Sequence, residues 1–313
     1  MTDNLKACLL MVATMAGFAV EDLLIKQVAG AIPVGQIVLL MGIGGSLFFA
    51  AASGLLRQPL WNQGLTSRPV LLRSAAEMVS TMAGIAGLVL IPLSLASSIL
   101  QAAPILVTVG AALFLGERVG WRRWCAIAVG LVGVMLILQP GAQGLNPGVW
   151  LSVLAVICVA ARDLATRVIR TSITTLQLAF WGYGLSIPSG LLLLAIQRST
   201  LVWPDADSWA LLAGAQALGI TFYYTLTLAL RLGQSSAVVP FRYTRLVFAL
   251  ALGVLVLGER VDAVMLLGLA LVTLSGLYTL LREARLARAA KAAFATSLAN
   301  LPNHPSPAAP PPL

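Results

Sequence analysis

Charge is scarce in this chain. Only 10% of its 313 residues are Asp, Glu, Lys or Arg, whereas a soluble globular chain carries about 25%. That shortage excludes an ordinary water-facing surface. Together with 59% hydrophobic residues it assigns most of the chain to a bilayer. There is one histidine, His304, and it lies in a Pro/Ala tail (LPNHPSPAAPPPL), so no histidine chemistry can be built within the apolar part. Cys8, Cys125 and Cys158 stand alone in separate apolar segments. They have neither metal-ligand spacing nor a disulfide framework, and they read as small buried hydrophobes. A phosphate-binding Gly-rich loop, a nucleophile elbow and a metal-ligand cluster are all missing from the pattern. No catalytic residue, metal or cofactor is therefore expected, and the chain is not read as an enzyme.

What is present is a series of long apolar runs. Ten are legible, at roughly 5–26, 33–56, 70–91, 93–115, 122–139, 148–169, 176–197, 209–230, 234–257 and 262–281. Each is long enough to cross a bilayer as a helix, which takes about 20 residues. The runs are too long and continuous for the alternating strands of a barrel. The first follows a polar start (MTDNLK) and exceeds the length of a signal-peptide core, so it reads as the first spanning helix.

The net charge of +9 is not a nucleic-acid surface. With the N-terminus placed in the cytoplasm, 14 of the 20 basic residues fall on the cytoplasmic side. Lys26, Arg198 and Arg260 fall outside, and Arg162, Arg242 and Arg245 lie within helices. That split fits the positive-inside rule with both termini cytoplasmic. Residues 282–313 read as a basic helix (REARLARAAKAAF) resting on the anionic leaflet, followed by a disordered Pro/Ala tail.

The chain is also written twice. LMVATMAGFAVEDLLIKQV, from Leu10, matches LSVLAVICVAARDLATRVI, from Leu151, so that Asp22 meets Asp163 and Lys26 meets Arg167 at an offset of 141. LFLGERVGWRR, from Leu113, matches LVLGERVDAVM, from Leu255, at an offset of 142. Ser97-Ser98 recurs as Ser235-Ser236. Each copy holds five helices, at 5–139 and 148–281. Five is odd, so the second copy enters the membrane from the opposite face, and the turns at Glu117 and Glu259 belong on opposite sides. Inverted repeats of this kind are the common construction of secondary transporters, with substrate near the midplane between the halves.

The ten-helix layout, the paired LGERV turns and the Pro-containing run before each turn resemble the drug/metabolite transporter superfamily, and within it the EamA-type branch. The resemblance covers roughly 5–281 and implies an all-α integral membrane fold of two inverted five-helix EamA repeats in the bacterial inner membrane. It implies a small organic metabolite as cargo: members carry amino acids, riboflavin, S-adenosylmethionine and others, some inward and some outward. MTDNL at the start, the ED/RD pair and PFRYTRLVFAL are similar to bacterial riboflavin carriers. Riboflavin uptake is therefore the leading expectation, and amino-acid export the alternative.

A charge in the hydrocarbon core is costly, about 2.5–3.5 kcal/mol on insertion scales, so each intramembrane ion needs a counter-ion or a task. Glu21, Asp22 and Lys26 lie near the outer end of the first helix, with Asp22 and Lys26 one turn apart. Their repeat mates Arg162, Asp163 and Arg167 lie at the inner end of the sixth. These two groups read either as gating or substrate contacts, or as interfacial pairs with snorkelling cations. Arg242 and Arg245, in VVPFRYTRLVF, share a face, and Arg245 sits roughly 16 Å into the ninth helix, close to the middle of a 30 Å core. Both present a planar fork suited to carboxylate, phosphate or imide acceptors, unless Glu77 or Asp22 satisfies them internally. Pro240 makes a helix break plausible there. Glu77, one turn from Arg73, is a candidate counter-ion or proton carrier. Trp181, Tyr183, Phe222, Tyr223, Tyr224 and Tyr243 lie within helices, where an aromatic can stack on a flat ligand. Trp61, Trp121, Trp124, Trp150, Trp203 and Trp209 fall at span ends, as an interfacial belt requires.

A membrane-embedded acyltransferase is disfavoured by the missing histidine and by the inverted repeat. A cation exporter would use a bare carboxylate at the midplane, where this chain has Arg245. The expected partners are a small-molecule metabolite and the lipid bilayer, with no nucleic acid. Proton coupling, and a monomeric or homodimeric state, are left open by the residues.

Overall fold

The computed structural model describes residues 3–61, 63–116, 120–138, 146–169, 174–232 and 238–299. Among them there is no strand; the chain is all helix. In order come α1 (Asp3–Val28), α2 (Val34–Leu55), a 3-10 turn (Gln63–Thr66), α3 (Arg68–Leu90), α4 (Leu93–Leu100), α5 (Ala103–Phe114) and α6 (Trp121–Leu138). The second half follows as α7 (Pro147–Val168), α8 (Thr175–Gln197), α9 (Ala206–Leu232), a 3-10 turn (Val239–Tyr243), α10 (Thr244–Leu255) and α11 (Ala263–Ala299). The loop at Glu117, the stretch 139–145, Arg170 and Ser235-Ser236 lie outside the described residues.

Ten spans result among the described residues, but two are interrupted. The fourth is α4 plus α5, not the single helix expected over 93–115. Pro104 has no N–H to give to Leu100, and the chain tightens through Gln101 and Ala102, whose N–H groups donate to Ser98 and Ile99 three residues back. In the ninth, the Pro240 segment is a 3-10 turn that precedes α10. The tenth span continues as one helix to Ala299, so the basic segment extends α11 instead of starting anew. Five helical segments, among them Leu5–Val28 and Val34–Leu55, are long and apolar enough by themselves to cross a membrane. α3 is not one of them; it carries Arg68, Arg73 and Glu77.

The packing carries the repeat into three dimensions. α1 packs on α9, and its counterpart α7 packs on α3. α1 also packs on α10, and α7 on α4 and α5. α2 packs on its own mate α8, and α6 on its mate α11. Exchanging the first five spans with the last five leaves this set unchanged. The two self-mated pairs approach closely because glycines face each other. A Cβ on Gly133 would fall 2.7 Å from the Gly268 carbonyl oxygen, and one on Gly268 would fall 2.6 Å from that of Gly133. The two glycines that open the GER turns match: Gly116 and Gly258 both have φ +66°, the left-handed residue that ends a helix.

Exposed tryptophans mark the water boundaries. Trp61, Trp121, Trp124, Trp150, Trp203 and Trp209 are each at least 40% exposed at span ends. The apolar core fills the seams where α1, α9 and α10 meet, and where α4, α5, α6, α7 and α11 meet.

Candidate substrate cavity

The two interrupted spans face each other across a cavity of about 420 Å³. That volume falls in the ~300–1,000 Å³ range of small-molecule sites. Met15 and Phe18 of α1 line it halfway along their helix. Gln101 and Pro104 line it from the break in the fourth span, and Arg162 and Asp163 from the last third of α7. Arg242, Tyr243 and Arg245 line it from the start of the ninth span. The cavity thus lies in the half of the bundle nearer the start of α1, and its polar side comes from the two helix breaks together with the Arg162–Asp163 face of α7.

Its polar groups are incompletely used. Among the described residues, Gln101 Nε2, Tyr243 Oη and Arg245 Nε are buried without a hydrogen-bond partner. Arg242 is exposed although it lies deep in the chain's span order, and it makes no ion pair among the described residues. Arg245 is anchored: its Nη2 donates to Asp22 Oδ2 at 2.6 Å, and its Cζ lies 5.4 Å from the centroid of the Phe18 ring. The guanidinium is held by a carboxylate on one edge and an aromatic face beneath, and it keeps Nε free.

On the other side of the two-fold, four charges form a network in which Arg73 Nε and Glu77 Oε2 have no hydrogen-bond partner. Arg162 donates through Nε to Asp163 Oδ1 at 3.0 Å and through Nη1 to Glu77 Oε1 at 3.2 Å. Arg73 Nη2 lies 3.5 Å from Glu77 Oε2. Two guanidiniums and two carboxylates bind α3 to α7 with no net charge. Glu77 is thus a counter-ion here.

Far from the termini, the helix ends are tied together. Lys26 does not pair with Asp22. Its Nζ donates to the Leu88 carbonyl at 3.0 Å and also to that of Ile91, at the C-terminal end of α3. A cation is favoured there by the helix dipole. Glu259 of the second GER turn caps the N-terminus of α4, accepting from Leu93 N–H, from Ser94 N–H at 3.0 Å and from Ser94 Oγ at 2.6 Å. Gln36 bridges to the loop before α9, donating to the Val202 carbonyl at 2.6 Å and accepting from its N–H at 2.9 Å.

The cavity therefore brings together five residues singled out in the sequence: Arg162, Asp163, Arg242, Tyr243 and Arg245. Asp22 joins them through Arg245. Glu21 and Glu77 sit behind the wall, and Lys26 lies at the far end. Trp181 is elsewhere: its Nε1 donates to the Leu60 carbonyl at 3.1 Å and its ring meets Trp61 at 5.7 Å. Tyr223 packs by Phe49 at 6.2 Å and Tyr224 faces outward, 70% exposed. The Arg167 side chain lies outside those described. The residues that sequence reasoning passed over are Phe18, Gln101 and the clamp Gln36. The two glutamines carried a usable signal, since an amide inside an apolar run has to find partners. Phe18 carried none.

The EamA-like transporter family model matches residues 5–139 and again residues 146–281. The chain belongs to the EamA-like transporter family. It is 32% identical over 216 residues, 69% of this chain and 70% of the relative, to a riboflavin transporter of Rhizobium johnstonii. It is 24% identical over 222 residues to an S-adenosylmethionine uptake transporter of Rickettsia conorii, covering 70% of this chain and 74% of that one. It is 25% identical over 276 residues to a pseudopaline exporter of Pseudomonas aeruginosa, covering 87% and 95%. The chain is a multi-pass membrane transporter of the drug/metabolite superfamily, and the relatives it resembles are named as transporters rather than enzymes.

Proposed function

We propose that this protein is a secondary carrier that takes up riboflavin across the inner membrane by alternating access between its two repeats, with both termini in the cytoplasm. The observation that carries the reading is the polar character of the cavity's lining: the exposed Arg242, together with Gln101, Tyr243 and Arg245, whose Nε2, Oη and Nε are buried without a hydrogen-bond partner, and Phe18 beneath Arg245. A flavin ring offers carbonyl and ring-nitrogen acceptors along one edge, a flat face for Phe18, and a hydroxylated chain for Thr108 and Thr279, which also line the cavity. Arg and aromatic groups together favour such a planar, acceptor-rich ligand over a cation. The riboflavin transporter relative adds support. Lys26 and Glu259 tie the far side, so this conformer is read as open toward the cytoplasm. The test is riboflavin fluorescence titrated with purified protein, together with a thermal-shift screen of flavins, amino acids and nucleosides. A cognate ligand binds only the folded state and raises its apparent stability. Riboflavin giving neither quenching nor stabilisation refutes the assignment.

Amino-acid export is the second reading. Arg242 could take a carboxylate while Asp163 takes the ammonium group from the same cavity wall. In the same screen, stabilisation by zwitterions and not by flavins selects it.

A further inference from the structure

Superposing the two repeats by sequence leaves one position out of balance. At the offset of 141, Glu21 of α1 is the mate of Arg162 of α7; Glu77 of α3 is the mate of Gly219 of α9 at the offset of 142. The packing supports both equivalences, because the mates are neighbours too. Arg162 meets Glu77 at 3.2 Å, and a Cβ on Gly219 would fall 2.5 Å from Glu21 Oε1. Where one half places a carboxylate against a guanidinium, the other places a carboxylate against a glycine. Glu21 makes no hydrogen bond or ion pair with any described residue.

Charge arithmetic then decides its state. The α3–α7 network of Arg73, Glu77, Arg162 and Asp163 is neutral as it stands. On the α1–α10 side, Glu21 and Asp22 are adjacent carboxylates with one guanidinium between them, and Arg245 is committed to Asp22. No other cation serves Glu21. Lys26, one turn on, is held by the Leu88 and Ile91 carbonyls. Arg242 faces the cavity and Arg73 faces Glu77. Among the described residues of α8 the titratable neighbour is the Tyr183 hydroxyl, 3.4 Å from where a Cβ on Gly219 would stand, and α9 presents Gly219 and Tyr223 there. Arg245 also acts on Glu21 electrostatically, but one guanidinium cannot balance two adjacent carboxylates, and the excess anion in hydrocarbon is neutralised by a proton.

We propose that Glu21 is the proton-carrying group of this transporter. It holds a proton on its carboxyl in the conformer described here. Its carboxylate takes that proton from far-side water when the far-side ends are apart and the Glu21–Asp22 pair is wet, and gives it up to cavity water beside Phe18, one turn away on α1, before the carrier resets, so that substrate and proton cross together. The balance is one proton per cycle: the carboxyl O–H bond forms with a proton from far-side water and breaks to water on the cavity side. The proposal rests on the reading of the chain as an alternating-access carrier, but not on which substrate it carries.

The test has two arms. In the first, infrared difference spectra of the purified protein are recorded between neutral and strongly alkaline pH, with no ligand added. The parent is expected to show a protonated-carboxyl C=O band that Glu21→Gln lacks and Glu21→Asp retains at a shifted frequency. Should Glu21→Gln fail to fold, Glu21→Asp makes the assignment alone. No band in the parent, or a band unaffected by the substitution that folds, overturns the proposal. In the second arm, proteoliposomes accumulate riboflavin with and without an imposed pH gradient. The ratio of the two is expected to exceed unity for the parent and to fall to unity for Glu21→Gln; a ratio that persists in the variant overturns the proposal. If the parent carries no riboflavin, the substrate reading falls, and the infrared arm still decides Glu21.

Discussion

Replacing Arg245 by lysine separates two jobs that the side chain performs. Its Nη2 holds Asp22 at 2.6 Å, with the two side chains only 22% and 15% exposed. Removing one member of such a pair strands the other's charge, at a cost of about 3–5 kcal/mol. Arg245→Ala is therefore expected to lower the thermal midpoint substantially. Lysine keeps the charge beside Asp22 and spares most of that loss. What lysine cannot keep is the fork: Nε, buried without a partner on the cavity wall, disappears together with the planar face over Phe18. A hydrogen bond from a charged donor contributes about 1.5–3 kcal/mol net. At about 1.4 kcal/mol per decade, that is roughly ten- to hundredfold in dissociation constant. The assay is fluorescence titration of riboflavin against parent, Arg245→Lys and Arg245→Ala, with each thermal midpoint measured in parallel. A near-parental midpoint with affinity weakened at least about tenfold is the expected outcome. Affinity within about threefold of the parent would mean that Arg245 only ties α1 to α10, and that the ligand docks elsewhere on the cavity wall.

Other consequences are as direct. Exchanging Asp22→Lys with Lys26→Asp is expected not to restore transport, because the two residues serve different partners, Arg245 and the end of α3; recovery in the double variant would reinstate them as a pair. Single cysteines at Ser67 and Ser199, in a background without Cys8, Cys125 and Cys158, should label from outside with an impermeant thiol reagent only at Ser199. Labelling of both from one face would reject the inverted topology. Glu259→Gln weakens a carboxylate that accepts three hydrogen bonds at the start of α4. It should lower the thermal midpoint, whereas Arg260→Gln next to it should not.

The spans and the inverted repeat were legible because both are properties of local composition and of self-comparison. The paired GER motifs were read from the sequence, and the structure adds that their glycines, Gly116 and Gly258, share one positive φ. Partners were less legible. Asp22 and Lys26 look paired in sequence because they are one helical turn apart, yet each is captured by a group far along the chain. Arg245 is 223 residues from Asp22, and Ile91 is 65 residues from Lys26. A periodicity names the face that a residue occupies but not which helix packs there. The break at Gln101 was missed for a related reason: Pro104 near the start of a helix is tolerated at its first turn, so the proline alone does not distinguish one helix from two. Phe18 was indistinguishable from any other core aromatic until Arg245 was found above it.

Symmetry also sorts scaffold from mechanism. Gln36 of α2 holds the loop before α9 through Val202, and its mate Gln177 of α8 holds the loop before α3, donating to the Pro59 carbonyl at 2.7 Å. Both clamps are closed at once, on opposite faces. A gate that alternates must be open on one face while it is closed on the other, so these glutamines belong to the frame about which the repeats move. The same holds for the glycine seam between α6 and α11. The charges behave differently. Arg245 has Ala103 as its repeat mate on the wall of the same cavity, and Glu21 lies against Gly219 where the other half sets Arg162 against Glu77. Each exchange removes a charge from one half only. A frame gains from two-fold symmetry, because the two end states are then built from the same contacts. A binding site does not, because its ligand has no two-fold axis and must be met by different groups from each side. The positions where this chain departs from its own repeat, Arg245 and Glu21, are accordingly where substrate recognition and its driving ion are to be sought.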